Sequence, residues 1–151
     1  NETPHSRFTN HEARTTMILG IGTDLTDITR VEKALSRYGE AFENRIFTPR
    51  EQKKARSRKN AGKKTIASTY AKRFAAKEAC AKALGTGMRG GVHWHDIEIV
   101  NTGGGYPSLV LHGGARSRLK AMTPKGMTAK IFLSISDEYP FAQAMVVIEA
   151  V

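Results

Sequence analysis

Thr65-Ile66-Ala67-Ser68-Thr69-Tyr70-Ala71-Lys72-Arg73-Phe74-Ala75-Ala76-Lys77-Glu78-Ala79-Cys80-Ala81-Lys82-Ala83-Leu84 decides the architecture. It reads as one long helix over residues 65–84, with Ile66, Tyr70, Phe74 and Ala81 available for a buried stripe. Its many alanines let a sheet or a second helix come close. Gly85, Gly87, Gly90 and Gly91 end it in a tightly turned connection.

Upstream, Ile18-Leu19-Gly20-Ile21-Gly22 reads as a first strand ending near Asp24. Residues 25–38 then form a helix with Ile28, Val31 and Leu35 on one face and Gly39 as its stop. Residues 41–46 add a short helical turn. Thr48-Pro49-Arg50-Glu51 starts another helix: Thr48 caps, Pro49 takes the first position and Glu51 closes a capping box. That helix is so basic and polar that a surface position is expected, and Ala61-Gly62 separates it from the long one. Downstream, strands are expected at 97–100, 108–111, 129–136 and 142–148. Helices in front and strands behind make an α+β domain rather than a doubly wound sheet.

A chain of 151 residues can bury a core as a single domain, taken as 17–151. Residues 1–16 are polar and mixed in charge, and are expected to be a disordered extension, natural or appended, ahead of Met17. They hold no apolar stretch of a secretory signal, and no apolar run in the chain is long enough for a bilayer. The single cysteine, Cys80, excludes an intrachain disulfide and fits a reducing, cytoplasmic setting. The net charge of +10 is concentrated: residues 45–89 carry 14 Lys and Arg against two acidic residues, Glu51 and Glu78. Such a field attracts polyanions, acidic proteins and multiply phosphorylated cofactors, and charge alone does not choose among them. Gly103-Gly104-Gly105 before Tyr106-Pro107 makes a hairpin turn rather than a dinucleotide loop, and no P-loop is present.

Two motifs carry chemistry. Gly22-Thr23-Asp24-Leu25-Thr26-Asp27-Ile28-Thr29-Arg30 sets a carboxylate just past the first apolar run. Phe74-Ala75-Ala76-Lys77-Glu78-Ala79-Cys80-Ala81-Lys82 sets Glu78 between two lysines, Lys82 one turn on and Lys77 about 100° round the helix. A hard cation such as magnesium takes carboxylate, phosphate and water oxygens, so Asp24 and Glu78 can share one with a pyrophosphate while the lysines hold phosphate. Each residue also has an ordinary reading. Asp24 can cap a helix, Glu78 and Lys82 can be a surface pair, and Asp27 can serve as ligand or cap. Cys80 has no local histidine to activate it, and His93, His95 and His112 lack metal-ligand spacing and read as strand, turn or surface residues.

With both motifs in this order, the chain resembles the holo-[acyl-carrier-protein] synthase family, the small trimeric branch of the 4'-phosphopantetheinyl transferases. Gly22, Asp24 and Arg30 match its Gly-x-Asp…Arg half; Phe74, Lys77, Glu78, Ala79 and Lys82 match its Phe-x-x-Lys-Glu-Ala-x-x-Lys half. The likeness runs from about residue 17 to 151 and takes in Phe47-Thr48-Pro49-Arg50-Glu51, Ala83-Leu84-Gly85-Thr86-Gly87 and Asp96-Ile97-Glu98-Ile99. It implies a long helix packed on an antiparallel sheet. It also implies transfer of the phosphopantetheine arm of coenzyme A to a serine of an apo-acyl carrier protein, leaving adenosine 3',5'-bisphosphate. Asp24, Glu78 and Lys82 would be catalytic. Asp24 and Glu78 would hold magnesium, Lys82 phosphate with help from Lys77, and Glu78 would be the candidate proton acceptor. Lys63 and Lys64 would reach the 3'-phosphate, and Pro107 would shape a nucleotide-facing turn. The resemblance further implies a homotrimer with active sites between subunits. An acidic carrier would dock on Arg30, Arg37 and Arg45, with Phe42 and Ile46 for apolar fit. No membrane and no specific nucleic acid are expected as partners.

One segment departs from the family pattern. Many relatives have Ser-x-Ser-His before the last strand, where this chain has Ser134-Ile135-Ser136-Asp137. Asp137 argues against histidine catalysis and would repel phosphate, unless it caps a turn or pairs with a base. Competing readings are a nucleic-acid-binding module using residues 45–89, indifferent to loss of Asp24, and a relative that binds coenzyme A without transferring.

Overall fold

The first strand outruns its apolar stretch. β1 (Met17–Asp27) continues through Leu25 and Thr26, positions that helical spacing assigns to the following helix. The difference has a tertiary cause: β1 stays paired with the last strand as far as Asp27 opposite Phe141, and the ladder overrides local spacing. α1 (Ile28–Tyr38) begins only there, with the Asp27 carboxylate accepting from the Thr29 N–H at 2.8 Å. Asp27 is therefore the cap, and Asp24 lies inside the strand.

This computed structural model describes residues 15–57 and 62–151; the expected extension, apart from Thr15 and Thr16, lies outside the described residues. Gly39, with φ +53°, turns α1 into α2 (Glu40–Ile46). α3 (Pro49–Ala55) has the expected capping box, and α4 (Lys63–Ala83) is the long helix. A short turn leads to β2 (Ile97–Asn101) and β3 (Pro107–Leu111), then α5 (Gly113–Met122), β4 (Ala129–Glu138) and β5 (Phe141–Ala150). β1, β5 and β4 form an antiparallel sheet in that order, and β2 and β3 a separate hairpin. The α+β class and the helix-on-sheet arrangement are as expected. Among the described residues, no helix is long and apolar enough to cross a membrane.

α5 is the element that its sequence hides, because it opens on two glycines. Tertiary packing requires Gly114, where a β-carbon would fall 1.8 Å from the Gly91 carbonyl oxygen. Arg118 Nε ties the helix to the end of α4 by donating to the Leu84 carbonyl at 2.8 Å.

α4 is buried on more than one face rather than along a single stripe. Tyr70 and Ala81 are fully buried as expected, while Ile66 and Phe74 keep partial exposure. Alanines at 67, 71, 75, 76, 79 and 83 complete the burial. α3 is likewise no plain surface helix. Glu51 is fully buried, accepting from the Thr48 N–H at 2.9 Å and the Ile99 N–H at 3.1 Å, and pairing with Lys77 Nζ at 2.7 Å.

The three-stranded sheet is covered by α4 on one face only. Cross-strand rows on the other face read Ile21–Val147–Phe132, Thr23–Met145–Ser134 and Leu25–Gln143–Ser136. Ile21, Leu25, Phe132 and Met145 there are 60%, 65%, 52% and 43% exposed.

Candidate active site

Side chains alternate along a strand, so Gly20, Gly22 and Asp24 share the β1 face that meets α4. The two glycines let the helix backbone lie directly on the strand: a β-carbon on either would fall within 2.0 Å of the Ala83 or Ala79 carbonyl oxygen. This approach brings Asp24 to the Glu78–Lys82 face of α4. Lys82 Nζ donates to Asp24 Oδ1 at 3.2 Å and to the Thr23 carbonyl at 2.8 Å. Thr26 Oγ1 donates to Asp24 Oδ2 at 2.8 Å, so both carboxylate oxygens are held.

Asp24 and Glu78 line one cavity of about 390 Å³ with Arg30, Ala34, Phe42 and Phe74. Burial pushes the Glu78 carboxyl above its ordinary value and the charge of Asp24 adds to this, with Lys82 partly offsetting. Two carboxylates that repel each other beside a single ammonium suit a hard divalent cation, which would relieve that repulsion. Among the described residues no group of three or more His, Cys, Asp or Glu is assembled.

Comparison with known proteins decides what the constellation belongs to. The profile of the 4'-phosphopantetheinyl transferase superfamily matches residues 20–143. A holo-[acyl-carrier-protein] synthase of Rhodopseudomonas palustris (strain HaA2) is 60% identical over 135 residues, 89% of this chain and 95% of the relative. The chain belongs to the holo-[acyl-carrier-protein] synthase family. Solved members of this family share its fold. The synthase from Neisseria meningitidis is 36% identical with a TM-score of 0.70, covering 87% of this chain and 98% of that one. The synthase from Bacillus anthracis str. Ames, in complex with CoA (3',5'-ADP), is 36% identical with a TM-score of 0.67 over 88% and 97%.

Not every site residue expected in this synthase-family chain gathers at the carboxylates. Lys77 turns the other way: its ammonium is fully buried, donates to the Trp94 and Ile97 carbonyls at 2.9 and 2.6 Å, and pairs with Glu51. The roughly 100° between neighbouring helix positions is enough to send it into the core. It has no free path to a phosphate beside Glu78. Lys63 and Lys64 are exposed in the first turn of α4 and line a different cavity with Glu32 and Leu35, Lys64 lying 5.1 Å over the Tyr139 ring. Arg30, Arg37 and Arg45 are exposed. Phe42 is half-buried and borders both the carboxylate cavity and a groove of about 410 Å³ with Ala34, Tyr38 and Arg45. Ile46 also edges that groove but is 6% exposed and belongs to the core, which leaves it little surface for a partner.

Pro107 opens a second cationic cavity, of about 320 Å³, with Lys54, Lys72, Arg73 and Asn101. Sequence reasoning missed this cluster. Arg73 is 4% exposed; its guanidinium donates to Asn101 Oδ1 at 3.3 Å, and its buried Nε has no partner among the described residues. A signal existed for Arg73, four residues before Lys77 on the same helix face, but none for Lys54 or Asn101. Asp137 pairs with Lys72 at 3.2 Å, the base-pairing alternative rather than the turn cap. Part of the positive field of residues 45–89 is thus neutralised internally: Arg56, Lys72, Lys77 and Lys82 all pair with carboxylates. Cys80 is fully buried, burial pushing its thiol up to about 12, and among the described residues no histidine joins the carboxylate cavity.

Proposed function

We propose that this chain is a magnesium-dependent holo-[acyl-carrier-protein] synthase. It moves the 4'-phosphopantetheine arm of coenzyme A to a serine hydroxyl of an apo-acyl carrier protein and releases adenosine 3',5'-bisphosphate. The observation that carries this reading is the joint placement of Asp24 and Glu78 at one cavity, with Lys82 bonded to Asp24, in a chain whose relatives bear that name.

Asp24 and Glu78 would hold the magnesium, which supplies charge neutralisation at the pyrophosphate and its leaving oxygen. Lys82 has three N–H groups; Thr23 and Asp24 engage two, leaving one for a phosphate oxygen. Thr26 keeps the Asp24 carboxylate from rotating. Glu78 would be the candidate acceptor, through a water near the metal, for the proton that the serine must lose. The cavity of Lys54, Lys72, Arg73 and Pro107 suits the phosphate of the nucleotide end.

An acidic carrier is steered by Arg30, Arg37 and Arg45. Ala34 and Phe42 border both the groove and the carboxylate cavity, so a carrier seated on the groove presents its serine toward Asp24. Among the described residues, the carboxylate and cationic cavities share no lining residue within one protomer. A homotrimer that sets one protomer's carboxylates against its neighbour's cations would join them, and the uncovered apolar sheet face supports such an assembly. The lone buried cysteine and the coenzyme A substrate fit the cytoplasm.

The test is to incubate the protein with magnesium, coenzyme A and several apo-carrier proteins, and to weigh the carriers by intact-mass spectrometry. One added arm, lost on chelation and with Asp24→Ala, is expected. No addition to any carrier, beside an active control enzyme, overturns the proposal.

A further inference from the structure

Asp137 stands where an anion-binding cavity would least tolerate a carboxylate. It lies two residues from Ile135 on β4, which places both on one strand face, and Ile135 lines the cationic cavity. Its Oδ1 is 3.2 Å from Lys72 Nζ, with the two side chains 37% and 27% exposed. Of the three cations among the described residues lining it, Lys72 is the one with a carboxylate partner on the sheet, while Arg73 feels the field of Glu51. We infer that Asp137 is the resident counter-ion of this cavity and a specificity-determining residue for the donor. It occupies Lys72 and so weakens the grip on the donor's ribose 3'-phosphate.

This rests on the coenzyme A reading above. The donor carries two anionic groups. The pyrophosphate is matched by Asp24, Glu78 and Lys82 with a cation, which leaves the phosphate monoester for the cavity of Lys54, Lys72 and Arg73. That monoester must share Lys72 with a carboxylate, and unit charges about 4 Å apart still repel appreciably near a protein surface. Half-exposed ion pairs add little to stability, so variants at Asp137 are expected to fold.

The experiment compares kcat/KM for coenzyme A and for 3'-dephospho-coenzyme A in the wild type, Asp137→Asn and Lys72→Met. Asp137→Asn is expected to raise the preference for the 3'-phosphorylated donor about five- to tenfold, and Lys72→Met to lower it. In parallel, calorimetry measures adenosine 3',5'-bisphosphate against adenosine 5'-monophosphate, with Asp137→Asn tightening only the former. An unchanged donor preference together with unchanged bisphosphate affinity overturns the inference. Failure of the wild type to transfer at all counts against the activity reading instead, and the calorimetric arm still decides the role of Asp137.

Discussion

The Ala79 carbonyl oxygen on α4 stands 1.9 Å from the point where a β-carbon on Gly22 would be built. Both groups are backbone, so neither can swing aside. Gly22→Ala therefore has to lift the helix from the strand, with an overpacking cost of about 1–3 kcal/mol and a Tm lower by about 2–4 °C for each kcal/mol. Asp24 is two residues along the strand and Glu78 is the neighbour of Ala79, so transfer should fall further than the loss of folded protein explains. Melting curves alongside the mass assay check this; a wild-type Tm would refute the contact.

Glu78 should be a residue whose removal kills activity and strengthens the fold. Its carboxyl is raised in the native state by burial and by Asp24, so keeping it ionised disfavours the native state at neutral pH. Glu78→Gln is expected to raise Tm at pH 7 to 8. The gain should shrink as pH falls through the native value of Glu78 and vanish below its unfolded value, where both forms are neutral. Magnesium should raise the Tm of the wild type and not of Glu78→Gln. A variant equally stable at every pH would contradict the assignment of burial and repulsion.

The Lys77–Glu51 pair lies at the opposite extreme of environment, both side chains being wholly buried. Lys77→Met leaves the Glu51 charge without its cation and should cost about 3–5 kcal/mol. Removing both charges in Glu51→Gln/Lys77→Met should recover much of that loss. Urea unfolding of the two singles and the double closes the cycle, and strict additivity would mean that the pair is not coupled.

How much of this was legible depended on whether the cause was local. The Phe74 to Lys82 motif, the Thr48–Glu51 capping box and the alternation in β4 are set by neighbours in sequence, and their elements formed as read. The strand-to-helix boundary lies later than the sequence reads because Ile28, Val31 and Leu35 share a helical face that residues 25–27 could extend, while pairing with β5 holds residues 25–27 in the strand. Lys77 looked like a phosphate ligand because its partner Glu51 and the Trp94 and Ile97 carbonyls come from distant segments. The cavity of Lys54, Arg73 and Asn101 is drawn from three elements, and no single stretch of chain announces it.

The uncovered sheet face offers a test of assembly by sedimentation. Ile21→Asp and Phe132→Asp place charges among the exposed apolar rows, away from the face that meets α4. Sedimentation of the wild type should give a trimer, and either variant smaller species with the helical content of the wild type. A monomeric wild type would remove the homotrimer from the proposal.

From Gly20 to Leu25 the first strand is written in two interleaved texts. Its even positions carry the close contact and Asp24; its odd positions, Ile21, Thr23 and Leu25, carry the outer rows. A one-residue insertion or deletion there would exchange the two messages, turning the carboxylate outward and leucine toward the helix. Substitutions can drift at the odd positions, but neither the even set nor the length of this stretch can. Natural variation in this family should therefore tolerate changes of residue at 21, 23 and 25 and almost never a change of spacing.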